Sequence, residues 1–156
     1  MTVLPAGSDV PQFTLRREDG APFTRDDLAG KTTVLVFYPA AFSSVCTDQF
    51  QILQEVFEDL AAEGAADVYG VSIDQTDSQL AFRESLNVTI PMLSDAVPQA
   101  AAARAFGVVF EPTGVANRAL VIVGPDLKVL WSWEGEHPGI LPGANLIFDG
   151  LAGARS

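Results

Sequence analysis

A chain of 156 residues, 48% hydrophobic and 19% charged, has the length and composition of one domain with one substantial core. Nine Lys and Arg stand against twenty Asp and Glu, giving a formal net charge of -11, which repels a phosphate backbone and an anionic lipid surface alike. Nucleic acid and membrane are therefore not expected as partners, and no apolar run approaches the roughly 20 residues that span a bilayer.

Residues Met1 to Gly20 lack a basic head followed by an apolar stretch and a small-residue cleavage site, so a soluble, cytoplasmic protein is expected. The acidic residues are spread along the chain, which reads as a solvated surface instead of a binding arm. Cys46 is the sole cysteine. An intrachain disulfide is excluded, a cysteine-rich zinc site has no ligands to use, and no cofactor or metal is implied.

Val10 to Leu15 and Pro22 to Thr24 flank an Asp19-Gly20 turn, the pattern of a small amino-terminal hairpin. Thr32 to Tyr38 is β-branched and aromatic without polar alternation, so it reads as a strand buried on both faces and stopped by Pro39. Beyond Cys46, Phe50, Leu53, Val56, Phe57 and Leu60 fall three or four apart and predict a helix ending near Gly64. Val68 to Ile73 is a second interior strand, and Thr76-Asp77-Ser78-Gln79 has capping-box spacing for a helix through Leu86.

Ile90 to Leu93, with its proline, predicts only a short or edge strand, and Gln99 to Phe106 a helix. Arg118 to Val123 and Lys128 to Trp133 read as two strands around the turn Gly124 to Leu127, and Asn145 to Leu151 as a last helix. Trp131 and Trp133, two apart on a strand, share a face that reads first as core, with an exposed partner surface or a substrate wall as the alternatives. Interior strands separated by helices, then a hairpin and a helix, predict an α/β fold of thioredoxin-like order. It has a central mixed β-sheet flanked by helices, with the amino-terminal β-hairpin as an extension, in a single domain over residues 1–156.

In such sheets chemistry gathers where the carboxyl end of a strand meets the next helix. Cys46 sits at that junction. A helix beginning near Ser43 or Ser44 puts Cys46 in its first turn, where unpaired N–H groups and the helix dipole favour a thiolate. The residues Phe37-Tyr38-Pro39-Ala40-Ala41-Phe42-Ser43-Ser44-Val45-Cys46-Thr47 resemble the active-site segment of the peroxiredoxins. That pattern is proline, three residues, threonine or serine, two residues, cysteine, and Pro39, Ser43 and Cys46 match it in order. Ser43 is the less usual hydroxyl there, keeping the donor and losing a methyl.

The family's fourth element is an arginine at the start of a later strand, and Arg118 stands in that place, 72 residues beyond the cysteine. Gln49 occupies a position where relatives carry an acidic or amide group that helps hold the arginine. The resemblance runs from about Val10 to Leu146. With Gly114-Val115-Ala116-Asn117-Arg118 and the single cysteine, it is nearest to the one-cysteine, E-type alkyl hydroperoxide reductases.

The resemblance implies that the Cys46 thiolate attacks a hydroperoxide, leaving a sulfenic acid that an external thiol must reduce. That thiol is a low-molecular-weight thiol or a thioredoxin- or glutaredoxin-like protein. Arg118 and Ser43 would stabilise thiolate and leaving oxygen, Pro39 would close the pocket, and a homodimer is the expected assembly. A free thiol with a pKa of about 8.5 is about 3% ionised at pH 7, so ionisation alone raises the reactive fraction at most about 30-fold. The rest of the acceleration must come from groups that hold the two peroxide oxygens as the O–O bond lengthens.

Two other readings exist. A Cys46–His137 dyad would make a hydrolase, but His137 lies in a Gly- and Pro-containing loop far along the chain. A thioredoxin-like binding or chaperone module with an unreactive cysteine would show only bulk thiol reactivity.

Overall fold

The computed structural model describes residues 3–39, 51, 54, 67–96, 100–110 and 115–135. The strands are β1 (Thr14–Arg16), β2 (Pro22–Thr24), β3 (Thr33–Phe37), β4 (Asp67–Ser72), β5 (Met92–Ser94), β6 (Val109–Phe110), β7 (Val115–Ala116), β8 (Ala119–Val123) and β9 (Val129–Glu134). The helices α1 (Thr76–Leu86) and α2 (Ala101–Phe106) and a short 3-10 helix, Arg25–Leu28, lie among them within the described residues. Seven strands form one sheet in the order β2-β1-β5-β4-β3-β8-β9, while β6 and β7 pair as a separate small ladder. The sheet is mixed: β3, β4 and β5 run parallel, and β8 returns antiparallel beside β3.

Every residue of β3 is buried, as its unbroken apolar run predicts. Alternation divides the central strands between two cores. Val34, Val36, Leu120 and Ile122 pack with Phe82 of α1 on one face. Leu35, Phe37, Val121 and Val123 pack with Ala102, Ala103 and Phe106 of α2 on the other. Helices thus cover both faces of an α/β, thioredoxin-like sheet, and each fully buried Phe or Leu contributes roughly 1.5–3 kcal/mol.

The amino-terminal hairpin forms as expected, with Leu15 opposite Phe23 and Gly20 at φ +87 in the turn, a conformation that a residue with a Cβ adopts only at a cost. The capping-box reading at Thr76 is corrected: the N-cap is Gln75, and Thr76 is already helical. The Gln79 amide that was to close the box is fully buried and turned into the sheet, where Nε2 donates to Ser72 Oγ at 2.9 Å and to the Leu93 carbonyl at 2.8 Å.

The strand after Pro91 is short but interior, not an edge, because β1 closes over it at Arg16–Ser94. Pro91 precedes the strand and its carbonyl accepts the Gly70 N–H at 2.9 Å, so its missing donor breaks no ladder. Trp131 and Trp133 share a face opposite Ile122 and Leu120, as expected, yet are only half-buried. The β6–β7 ladder was not anticipated, and the last helix at Asn145 to Leu151 lies outside the described residues. Among the described residues no helix is long and apolar enough to cross a membrane.

Candidate active site

The carboxyl end of β3 and the amino end of β8 meet at one end of the sheet. Phe37 pairs with Ala119 in the antiparallel ladder, and the same register carried one residue outward sets Tyr38 opposite Arg118. Tyr38 is held on its other side, its N–H donating to the Val71 carbonyl at 3.0 Å and its hydroxyl to Met92 Sδ at 3.6 Å. At half-buried Pro39 the chain bends out of the sheet, because proline has no N–H to extend a ladder. Seven residues later in sequence comes Cys46.

Of the expected site residues, Pro39 and Arg118 fall among the described residues and share this end of the sheet, while Cys46, Ser43 and Gln49 lie outside them, as does His137. Arg118 is 1% exposed. It stands immediately before β8, not within it. Both of its backbone groups are held: its N–H donates to Asn117 Oδ1 at 2.9 Å, and its carbonyl accepts the Gly135 N–H at 3.0 Å. A guanidinium this deeply buried is costly unless it is partnered, which marks the position as more than a surface ion pair.

Neighbouring strand ends are locked by a buried polar network. Ser72 Oγ donates to Asp74 Oδ2 at 2.7 Å, Ser94 Oγ donates to the Asp74 carbonyl at 2.6 Å, and the Asp95 N–H donates to the Ser72 carbonyl at 2.7 Å. The Asp95 carboxylate, 3% exposed, accepts the N–H groups of Ala102 and Ala103, both at 2.9 Å. Burial pushes its carboxyl above the usual range, outweighing these two bonds and the Arg104 charge. Further along the chain, Gln51 and Gln54 are helical, in keeping with the helix expected beyond Cys46. The Gln54 amide grips Thr89, donating to its Oγ1 at 2.8 Å and accepting its N–H at 2.9 Å.

A cavity of about 250 Å³ lined by Arg17, Glu18, Tyr69, Pro91 and Met92 lies on the β1–β5 side of the sheet, three strands from β8. It is not at the end of the sheet that Pro39 and Arg118 share. No group of three or more metal-ligating side chains occurs among the described residues. Asn117, whose side chain accepts the Arg118 N–H, is a supporting residue to which sequence reading gave no role. The available signal was the polar pair Asn117-Arg118 within the otherwise apolar stretch Val115-Ala116-Asn117-Arg118-Ala119.

The AhpC/TSA family model matches residues 6–132. The chain belongs to this family. Alkyl hydroperoxide reductase E of Mycobacterium tuberculosis is 28% identical over 96% of this chain and 97% of its own length. Alkyl hydroperoxide reductase C of Amphibacillus xylanus is 34% identical over 96% of this chain and 81% of its own. The crystal structure of Enterococcus faecalis AhpC superimposes with a TM-score of 0.86 at 28% identity, covering 99% of this chain and 93% of that one. Family membership makes this AhpC/TSA protein a peroxiredoxin, an oxidoreductase of the thiol peroxidase class. The resemblance seen in the Pro39 to Cys46 segment and the α/β, thioredoxin-like expectation both agree with it.

Proposed function

We propose that the chain reduces hydroperoxides through a single cysteine, Cys46, and regenerates it with an external thiol. The observation that carries this reading is the register of β3 and β8, which delivers buried Arg118 to the end of the sheet where Pro39 leads toward the sole cysteine. A fixed cation there favours a thiolate over a thiol and meets negative charge as it develops on a departing oxygen.

In the proposed step the Cys46 sulfur attacks one peroxide oxygen. An S–O bond forms, the O–O bond breaks with its electron pair going to the leaving oxygen, and that oxygen takes a proton to become water or an alcohol. Sulfur is oxidised by two electrons to the sulfenic acid. The Ser43 hydroxyl donates to thiolate or peroxide, Pro39 shields the pocket without offering a competing N–H, and Gln49 helps hold Arg118.

With no second cysteine in the chain, a thiol from outside attacks the sulfenic sulfur, releasing water and leaving a mixed disulfide. A second thiol then resolves it and frees Cys46. A low-molecular-weight thiol or a thioredoxin- or glutaredoxin-like protein fits that role, and a cytoplasm supplies both. A homodimer belongs to the same reading on family resemblance.

The test is to mix reduced protein with one equivalent of hydrogen peroxide and follow the product by intact mass and sulfenic-acid trapping, with Cys46→Ser beside it. One trappable oxygen on the wild type and none on the variant is the expected result. Absence of the adduct on the wild type returns the chain to a binding-module role.

A further inference from the structure

Arg118 and Gly135 follow Ala119 and Glu134 outward along the β8–β9 ladder. In a regular antiparallel pair they would exchange two bonds, each N–H donating to the other's carbonyl. Only one of these is present in that form, from the Gly135 N–H to the Arg118 carbonyl at 3.0 Å. In place of the other, the Asn117 carboxamide is inserted: Oδ1 accepts the Arg118 N–H at 2.9 Å, and Nδ2 donates to the Gly135 carbonyl at 2.7 Å. Nδ2 also donates to Glu134 Oε2 at 3.2 Å, while Glu134 Oε1 accepts the Val3 N–H at 3.2 Å. The Asn117 N–H is taken by the Val108 carbonyl at 2.7 Å, next to the β6–β7 ladder.

A carboxamide carries the same donor and acceptor as a peptide group, so it substitutes for a stretch of backbone without leaving either strand unsatisfied. Alanine supplies neither function. Aspartate supplies only acceptors, and would set a carboxylate against the Gly135 carbonyl and the Glu134 carboxylate. Asn117 itself is 3% exposed, so water does not take over its bonds.

We infer that Asn117 is a positioning residue for the peroxide reaction: by splicing its side chain into the β8–β9 ladder it fixes the backbone of Arg118, and thereby the direction in which the guanidinium leaves the sheet. This rests on the proposed peroxidase role of Arg118 and Cys46.

The experiment compares wild type, Asn117→Ala, Asn117→Asp, Arg118→Ala and the double variant Asn117→Ala/Arg118→Ala. Three quantities are read: the Cys46 thiol pKa from the pH dependence of alkylation, the peroxide rate constant, and the thermal midpoint. Asn117→Ala and Asn117→Asp are expected to raise the thiol pKa and slow peroxide reduction about 10- to 100-fold, the scale of a misplaced catalytic group. The double variant should be no slower than Arg118→Ala, because Asn117 acts only through the arginine.

Folded Asn117 variants that keep the wild-type thiol pKa and rate overturn the inference, as does a double variant whose losses multiply in full. A wild type that reacts like a free thiol, yet shows the same pKa shifts on substitution, overturns the peroxidase reading while Asn117 still positions Arg118 toward the thiol. A midpoint that falls in Asn117→Ala but not in Asn117→Asp leaves the aspartate variant to decide.

Discussion

Phe37 and Ala119 are partners in the antiparallel ladder of β3 and β8, and this one register relation puts Tyr38 and Arg118 opposite one another, one residue before Pro39. A slip of one residue would turn every side chain of β8 to the other face. The two cores prevent it, since Leu120 and Ile122 belong to the α1 side and Val121 and Val123 to the α2 side. The position of the arginine is therefore a consequence of packing along the whole strand.

Replacement of Arg118 separates its two proposed roles. Arg118→Ala is expected to raise the Cys46 thiol pKa and to slow peroxide reduction by more than the roughly 30-fold that ionisation explains. Arg118→Lys keeps a charge but loses the planar fork, so it should restore thiolate more fully than rate. Thiol titration and stopped-flow kinetics on both variants check this, and equal recovery of both quantities in the lysine variant would contradict a role beyond ionisation.

Gln79 makes a stability prediction independent of catalysis. Its buried Nε2 joins Ser72 Oγ to the Leu93 carbonyl across the ends of β4 and β5. Gln79→Leu fills the volume but leaves those acceptors short of a donor, and is expected to cost about 1–3 kcal/mol in urea unfolding. A loss under about 0.5 kcal/mol, the range of an ordinary surface change, would show that the network is dispensable.

The strand core, the hairpin, and the helices near Thr76 and Ala101 were legible because each is written as a local period or a turn pair, and the family was legible because the spacing of Pro39, Ser43, Cys46 and Arg118 is specific. Three things were not legible. The Gln79 side chain could equally cap its own helix, and only its fully buried setting between Ser72 and Leu93 decides that it does not. Pro91 allows a short strand or an edge strand, and only the pairing of β1 with β5 decides for a short interior one. Asn117 stands in the sequence only as part of the resembling stretch Gly114 to Arg118, since nothing local reveals that Gly135 will lie opposite the arginine. All three depend on pairing between distant segments, which a single chain of letters does not encode residue by residue.

Asp95 predicts a pH dependence of definite sign. Its folded carboxyl titrates above the ordinary 3.8 because burial opposes ionisation. The folded state therefore holds this proton more tightly than the unfolded state, and the contribution of Asp95 to stability grows as pH falls through its folded pKa and levels off below 3.8. Urea unfolding of wild type and Asp95→Asn at several pH values between neutrality and the unfolded carboxyl range checks this. The wild type should gain on the variant as pH falls, and a constant or opposite difference would contradict the raised carboxyl.

With a single cysteine, the chain has no internal disulfide to divert its sulfenic acid. Excess peroxide without reductant should carry Cys46 on to the sulfinic acid and abolish activity, with a small thiol protecting when it is present from the start. Intact mass and residual activity measured together test this. Full activity after prolonged excess peroxide would mean that another route removes the intermediate.

The most direct measurement is the rate constant for hydrogen peroxide with reduced protein at pH 7, followed by intrinsic tryptophan fluorescence beside a free thiol under the same conditions. A rate exceeding that of the free thiol by far more than the roughly 30-fold available from ionisation, and lost in Cys46→Ser, is the predicted result. A rate within that factor would mean that Arg118 and its neighbours do not bind the breaking O–O bond, and would contradict the account at its centre.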